Sequence, residues 1–243
     1  MDVGQVYNSN HYGSIEVVEL LTKTHSKVRF TNTGSIKTFR NDAIRNGQIR
    51  DMFSPKTYGV GYIGEGRYSA SKKGEHSKHY HCWSGMLERC YSDKFHSSIN
   101  YKGKVTVCES WFNYQVFCEW YEGNYIKGWH LDKDISKSSL YSPESCHFLP
   151  RELNIFFTTR RHFRGEYPIG VLYKCGSYEA TISGGTKGSH IYLGVFDTPE
   201  EAFNKYKDAK KSALNSLICK YEDLLPKRTK EVLENYEFVP FPE

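Results

Sequence analysis

Hydrophobic and polar positions along the chain change period three times, and each change marks a different kind of element. From Val3 to about Gly66, short alternating runs (SIEVVELL, KVRF, SIKTFR) are separated by His-Tyr-Gly, Asn-Thr-Gly and Asn-Gly. Alternation at period two between such turn residues predicts a small antiparallel β unit, for which an SH3-like barrel is a fitting shape. The stretch GVGYIGEGRYSASKKGEHS, rich in Gly and Ser, reads as a connector. Between His79 and Phe157 the period lengthens: Trp83, Met86, Leu87 and Cys90 recur at i, i+3, i+4 and i+7, and Trp111, Tyr114, Cys118 and Tyr121 follow a similar spacing. Both patterns predict amphipathic helices.

From Tyr167 onward the runs IGVLYK, YEATIS and HIYLGVF predict three strands joined by glycine-containing turns. A helix follows with Thr198 as N-cap, Pro199 at the first helical position and Glu201 closing a capping box. Its apolar stripe is Phe203, Tyr206, Ala209, Ala213 and Leu217. Pro226 separates a short acidic helix in the tail, whose end either packs on a neighbouring domain or stays loose. No internal repeat interrupts this order. The expected fold is α+β and multidomain: a small β domain at 1–66, a central domain at 67–159, a three-stranded sheet with one helix at 160–220, and a tail at 221–243.

Composition narrows the class. The chain of 243 residues holds 33 Lys and Arg against 28 Asp and Glu, and 15% of it is aromatic. That is enough apolar matter for real cores and excludes a wholly disordered chain. No apolar run reaches membrane-spanning length, and MDVGQVYNSNHYG lacks the features of a signal peptide. A soluble cytoplasmic protein without a membrane partner is expected. The seven Cys, at 82, 90, 108, 118, 146, 175 and 219, form no C-x-x-C pair and are expected to be reduced thiols. The net charge of +5 is uneven. Residues 158–220 carry ten Lys and Arg against six acids, while 221–243 carry three against six. Arg160, Arg161 and Arg164 fall within five residues, a composition shared by solvated linkers and by segments that track a phosphate backbone.

The candidate chemistry lies between Gly128 and Phe157. GWHLDKDI reads as a strand on which His130, Asp132 and Asp134 share one face by alternation. A turn, the strand CHFLP and a short helix carrying Asn154 follow. Two carboxylates and an amide can converge on one divalent ion, and oxygen ligands suit Mg²⁺ or Mn²⁺. Such an ion polarises a scissile phosphate.

These residues resemble the HNH (ββα-metal) endonucleases, in particular phage-encoded ones. The resemblance rests on Trp83-x-x-Met86-Leu87-x-Arg89-Cys90-Tyr91, Cys108-x-x-Trp111, Leu131-Asp132-Lys133-Asp134, Tyr141-Ser142-Pro143-Glu144-x-Cys146 and Asn154, over about 75 residues. It implies Asp132 and Asn154 as metal ligands. Those nucleases usually place a general-base His directly after the strand Asp. Here Lys133 stands there, which makes His130 the first substitute and His147 the second, with Lys133 available to stabilise the pentacovalent phosphate. Cys90, Cys108 and Cys146 each sit in a matched motif; they could share a structural Zn²⁺, and small buried thiols explain them equally well.

The C-terminal run has its own likeness. Gly170-Val171, Tyr178-x-Ala180-x-Ile182 and Ile191-Tyr192-Leu193-Gly194-x-Phe196-Asp197-Thr198-x-Glu200-Glu201-Ala202 resemble the apetala or ethylene-response-factor DNA-binding domain. That family lays its sheet in the major groove, which implies Lys174, Lys187, His190 and Tyr192 as DNA contacts, with Arg160, Arg161 and Arg164 on phosphates. Together the two resemblances imply a homing endonuclease acting on double-stranded DNA. The rival from another class is a catalytically inactive DNA-binding or regulatory protein that keeps the scaffold. The oligomeric state stays open between a monomer and a pair: one ββα site cuts one strand at a time, so double-strand cleavage would need two copies or two events.

Overall fold

The computed structural model describes residues 1–93, 103–157, 166–183 and 190–241. It is a mixed α+β chain built from several small sheets, mostly antiparallel, and, among the described residues, six α-helices. The chain divides into two compact units, Met1–Tyr125 with Ser139–Ser145, and Ile126–Ser138 with Cys146–Glu243.

The first unit opens with a four-stranded antiparallel meander in chain order: β1 (Val6–Ser9), β2 (Gly13–Leu20), β3 (His25–Phe30) and β4 (Ile36–Arg40). Alternation puts Ile15, Val17, Val28 and Phe30 on one face, and register sets Ile15 opposite Phe30 and Val17 opposite Val28. Ile44 of α1 (Asn41–Arg45) and Ile49 close that core.

The glycine-rich stretch after it is packed at Gly61 and Gly64 and mostly exposed from Glu65 to His76. It carries a minimal hairpin, β5 (Ser71–Lys72) with β6 (Glu75–His76), before α2 (Lys78–Tyr91). Beyond α2, the strand β7 (Thr106–Val107), which pairs in parallel with β9 (Leu140–Tyr141), precedes α3 (Tyr114–Asn124). A Cβ on Gly61 would lie 2.8 Å from the Trp83 ring and 2.5 Å from Leu87, so only glycine lets the backbone approach the indole this closely. Gln115 of α3 ties the same stretch down: its side-chain amide donates to the carbonyls of Ile63 and Tyr68 and its oxygen accepts from the Tyr68 amide. Trp83, Met86, Leu87 and Cys90 are all buried on α2, and the Trp83 indole donates to the Trp111 carbonyl at 2.6 Å.

The second unit has two cores. In one, β11 (Val171–Lys174), β12 (Ser177–Ser183) and β13 (His190–Phe196) form an antiparallel sheet covered on one face by α5 (Pro199–Lys220), with Val171, Ala180, Ala202, Phe203 and Tyr206 between them. Thr198 caps α5, its hydroxyl accepting from the Glu201 amide at 3.2 Å, as the capping box predicts. The other core gathers Ile135, Leu149, Leu153, Leu214, Ile218, Leu225 and Leu233. Helix α5 therefore serves both. Its buried stripe is Ala202, Phe203 and Tyr206 at one end and Leu214 and Ile218 at the other, so Ala213 gives way to Leu214 once the partner is no longer the sheet. The tail packs as well: Leu233 of α6 (Lys227–Glu234) is fully buried.

Candidate functional site

Strand β8 (His130–Asp132) pairs antiparallel with β10 (His147–Leu149), and α4 (Arg151–Phe157) follows β10 directly. Register places His147 opposite Asp132 and Leu149 opposite His130. The strand is shorter than its alternation predicts. The Asp132 carboxylate accepts the Ile135 amide at 3.0 Å, which turns the chain into a 3-10 helix at Asp134–Ser136 and sends Ile135 into the core. Asp134 thus leaves the strand, and the shared face is reduced to His130 and Asp132.

Burial separates these groups. Asp132 is 7% exposed, and burial, with Asp134 adding repulsion, pushes its carboxyl up to about 6. Lys133 is equally buried and its ammonium meets Asp134 at 2.6 Å, while the Asp134 side chain remains open to solvent. His130 is exposed at the strand start. His147 is 3% exposed, and hydroxyls hold both ring nitrogens: Thr229 at 3.0 Å from Nδ1 and Ser136 at 3.1 Å from Nε2. Burial, helped by Arg228, lowers its pKa to about 4 and keeps the ring neutral. Asn154 sits half-buried on α4, its backbone amide bonded to the Pro150 carbonyl.

Three contributors come from the tail and carry no local signal in the sequence. Thr229 reaches His147 across 82 residues, Arg228 acts on the same ring, and the Tyr236 hydroxyl is raised by burial and by the charges of Asp134 and Asp132. Only the fold brings them to the hairpin.

Among the described residues, no group of three or more His, Cys, Asp and Glu side chains converges on one point. Cys90 and Cys146 are buried and Cys108 is half-buried with its thiol 3.3 Å from the Ser110 hydroxyl. Asp132, at the end of β8, offers carboxylate oxygens, and Asn154, on α4, offers an amide oxygen. Oxygen donors of this kind suit Mg²⁺ or Mn²⁺, hard cations that accept one or two protein oxygens and complete their shell with water and phosphate. A buried carboxylate whose ionisation is opposed by its surroundings is also a place where a cation is favoured.

The second candidate surface is the face of the three-stranded sheet turned away from α5, open among the described residues. Register puts Leu172 opposite Glu179 and Glu179 opposite Val195, with Thr181 opposite Tyr192 and Ser183 opposite His190. A bulge between Ala180 and Thr181 shifts the phase of β13. Gly194 consequently pairs with buried Ala180, on the α5 side, and Val195 takes the open-face place that strict alternation assigns to Gly194. Lys174, His190 and Tyr192 are exposed, and Lys174 lies 3.8 Å from the Glu179 carboxylate. Arg160, Arg161, Arg164 and Lys187 lie outside the described residues. Among the described residues no helix is long and apolar enough to cross a membrane.

Comparison with family models, with curated proteins and with solved structures returns no match.

Proposed function

We propose that this chain binds duplex DNA and hydrolyses a phosphodiester of it as an endonuclease of the HNH homing type, acting in the cytoplasm. The observation that carries the reading is the Asp132 carboxylate, buried at the end of a hairpin strand that is followed by a helix bearing Asn154. Asp132 and Asn154 would hold Mg²⁺ or Mn²⁺, which supplies charge stabilisation at the scissile phosphate.

The chain's own groups divide the remaining work. His130, exposed on the Asp132 face, takes the proton of the attacking water. His147 is a weak base because both its nitrogens are engaged and burial lowers its pKa to about 4, so it ties β10 to Ser136 and to Thr229 of α6 instead. Lys133, paired with Asp134, offsets negative charge beside Asp132. The sheet of β11 to β13 and the arginines at 160, 161 and 164 hold the duplex.

A second reading, a DNA-binding or regulatory protein without catalysis, is favoured by the same Lys133, which stands where the resembling nucleases carry their base. One experiment separates them. With Mg²⁺ or Mn²⁺ the full chain should nick or cut duplex DNA, and Asp132→Ala should lower that rate at least about 100-fold while leaving duplex affinity unchanged. Binding without cleavage by the unaltered chain selects the second reading, and cleavage that survives Asp132→Ala removes Asp132 from the site.

A further inference from the structure

In the first unit, residues 69–81 carry three lysines, Lys72, Lys73 and Lys78, against one acid, Glu75. All three lysines are exposed, and among the described residues none of them closes an ion pair. Glu75 stands opposite Lys72 in the strand register without meeting it. The cations of the four-stranded sheet in the same unit are neutralised instead: Lys27 meets Glu19 at 2.7 Å, Arg29 meets Glu16 at 3.4 Å and Lys37 meets Glu65 at 2.6 Å.

The local structure holds the three lysines out. Lys73 and Gly74 make the two-residue turn between β5 and β6 with φ of 53° and 85°, the signs of a type I′ turn. Such a turn favours Asn or Gly at its first central position, so Lys73 stands there against its backbone preference. A hairpin of two-residue strands is not stable alone in water, and this one is fastened to α2. The His76 ring stacks on Tyr80 with centroids 4.3 Å apart, and the Ser77 amide donates to the Ala70 carbonyl at 2.9 Å. Ser77 also caps α2, whose first turn holds no acid to offset Lys78. A simple link between two elements needs neither the hairpin nor a lysine at its tip.

We propose that this hairpin and the start of α2 form a phosphate-contacting surface for duplex DNA, with Lys72, Lys73 and Lys78 each meeting the sugar–phosphate backbone. The inference rests on the DNA-binding reading above and deepens it by giving the first unit a part in holding the duplex. Duplex DNA carries one charge per ~1.7 Å of axis, so even a cluster this small faces several phosphates. A protein partner is disfavoured, because protein interfaces have an apolar centre and are depleted in lysine, whereas residues 71–78 contain no apolar side chain. The same lack removes the apolar wedge with which a basic element enters a bilayer.

The test is the salt dependence of affinity of the full chain for a labelled duplex of arbitrary sequence, read by fluorescence anisotropy. Each phosphate contact contributes about 0.9 to the slope of log affinity against log salt. Lys72→Gln, Lys73→Asn and Lys78→Gln together should lower that slope by roughly 2 to 3 and weaken binding at about 0.1 M salt at least ~ten-fold, with an unchanged melting temperature. Lys73→Asn alone should lower the slope by about 1, although Asn suits the turn better than lysine does, so a purely structural Lys73 does not give this result. Lys27→Gln, Arg29→Gln and Lys37→Gln remove as many charges from the sheet and should leave the slope nearly unchanged. An equal drop in this second variant means that overall charge sets the slope, and overturns the assignment to the hairpin. An unchanged slope in the hairpin variant overturns it too, as does a loss of binding to phosphatidylserine vesicles in place of the duplex; the DNA reading then stands. If the unaltered chain does not bind the duplex, both fall.

Discussion

The hairpin of β8 and β10 and the sheet of β11 to β13 belong to the same unit and break the usual rule of burial in opposite directions. The hairpin hides Asp132, Lys133 and His147, while the sheet displays Leu172, Tyr192 and Val195. Buried charge and exposed apolar surface are the two arrangements that folding alone does not favour, so each points to a use. Their consequences differ. At the hairpin the polar groups are held by core and tail, and stability is coupled to their protonation. On the open sheet face the apolar groups touch little, and stability should be indifferent to them.

The largest test of this contrast is pH. Asp132 ionises at about 6 in the folded chain against an ordinary 3.8, so the folded state holds the extra proton between these values and gains stability as pH falls through them. His147 titrates at about 4 against an ordinary 6.5, so the unfolded state holds the extra proton and stability is lost as pH falls from 6.5 toward 4. Each swing is ~3 kcal/mol, because every tenfold change in proton affinity on folding is worth about 1.4 kcal/mol, and in the native chain the two largely cancel. Single substitutions should expose them. Relative to the native chain, Asp132→Asn should lose ~3 kcal/mol between pH 7 and pH 4, and His147→Gln should gain a similar amount. Urea unfolding at several pH values measures both slopes. Parallel slopes for all three proteins would mean that the hairpin does not bury these charges.

An effect of comparable size, confined to one contact, separates the two faces of the sheet. Gly170, just before β11, has φ of 80°, and a Cβ there would sit inside the carbons of the Tyr206 ring on α5. Gly170→Ala should cost about 3 kcal/mol, from a left-handed backbone and an overpacked contact together. Thermal unfolding is the readout; a neutral result would show that α5 can move away from the sheet.

How much of this was legible beforehand follows from the range of the forces involved. The α5 cap, the Trp83 stripe and the three C-terminal strands are local, set by side chains within a few residues, and the sequence pattern places them correctly. The β13 bulge was not legible, because it is a property of pairing: alternation puts Gly194 on the open face and the two-stranded register puts Val195 there. The truncation of β8 came from one carboxylate capturing the Ile135 amide, a competition between turn and strand that periodicity does not register. Thr229 and Tyr236 at the hairpin depend on where the tail lands, and residues that meet across 80 or 100 positions leave no spacing to read. The packing of Gly61 within the connector was not legible for a different reason: glycine serves both flexible chain and close approach, and only the Trp83 ring against Gly61 distinguishes them.

The smallest expected effect is the sharpest for the comparison. Leu172, on the edge strand β11, lies two residues beyond Gly170, yet its side chain is more than half exposed and points away from α5. Leu172→Ser should therefore change unfolding free energy by less than about 0.5 kcal/mol, the range of surface substitutions that touch no special feature. A core leucine so truncated would cost several times more. If Leu172→Ser melts with the native chain, the apolar face contributes nothing to folding, and its leucine is free to serve contact with something outside the fold. If it destabilises the sheet as Gly170→Ala does, the open face is part of the core after all, and the division of this unit into a hairpin tuned by burial and a sheet left bare for recognition fails at its second half.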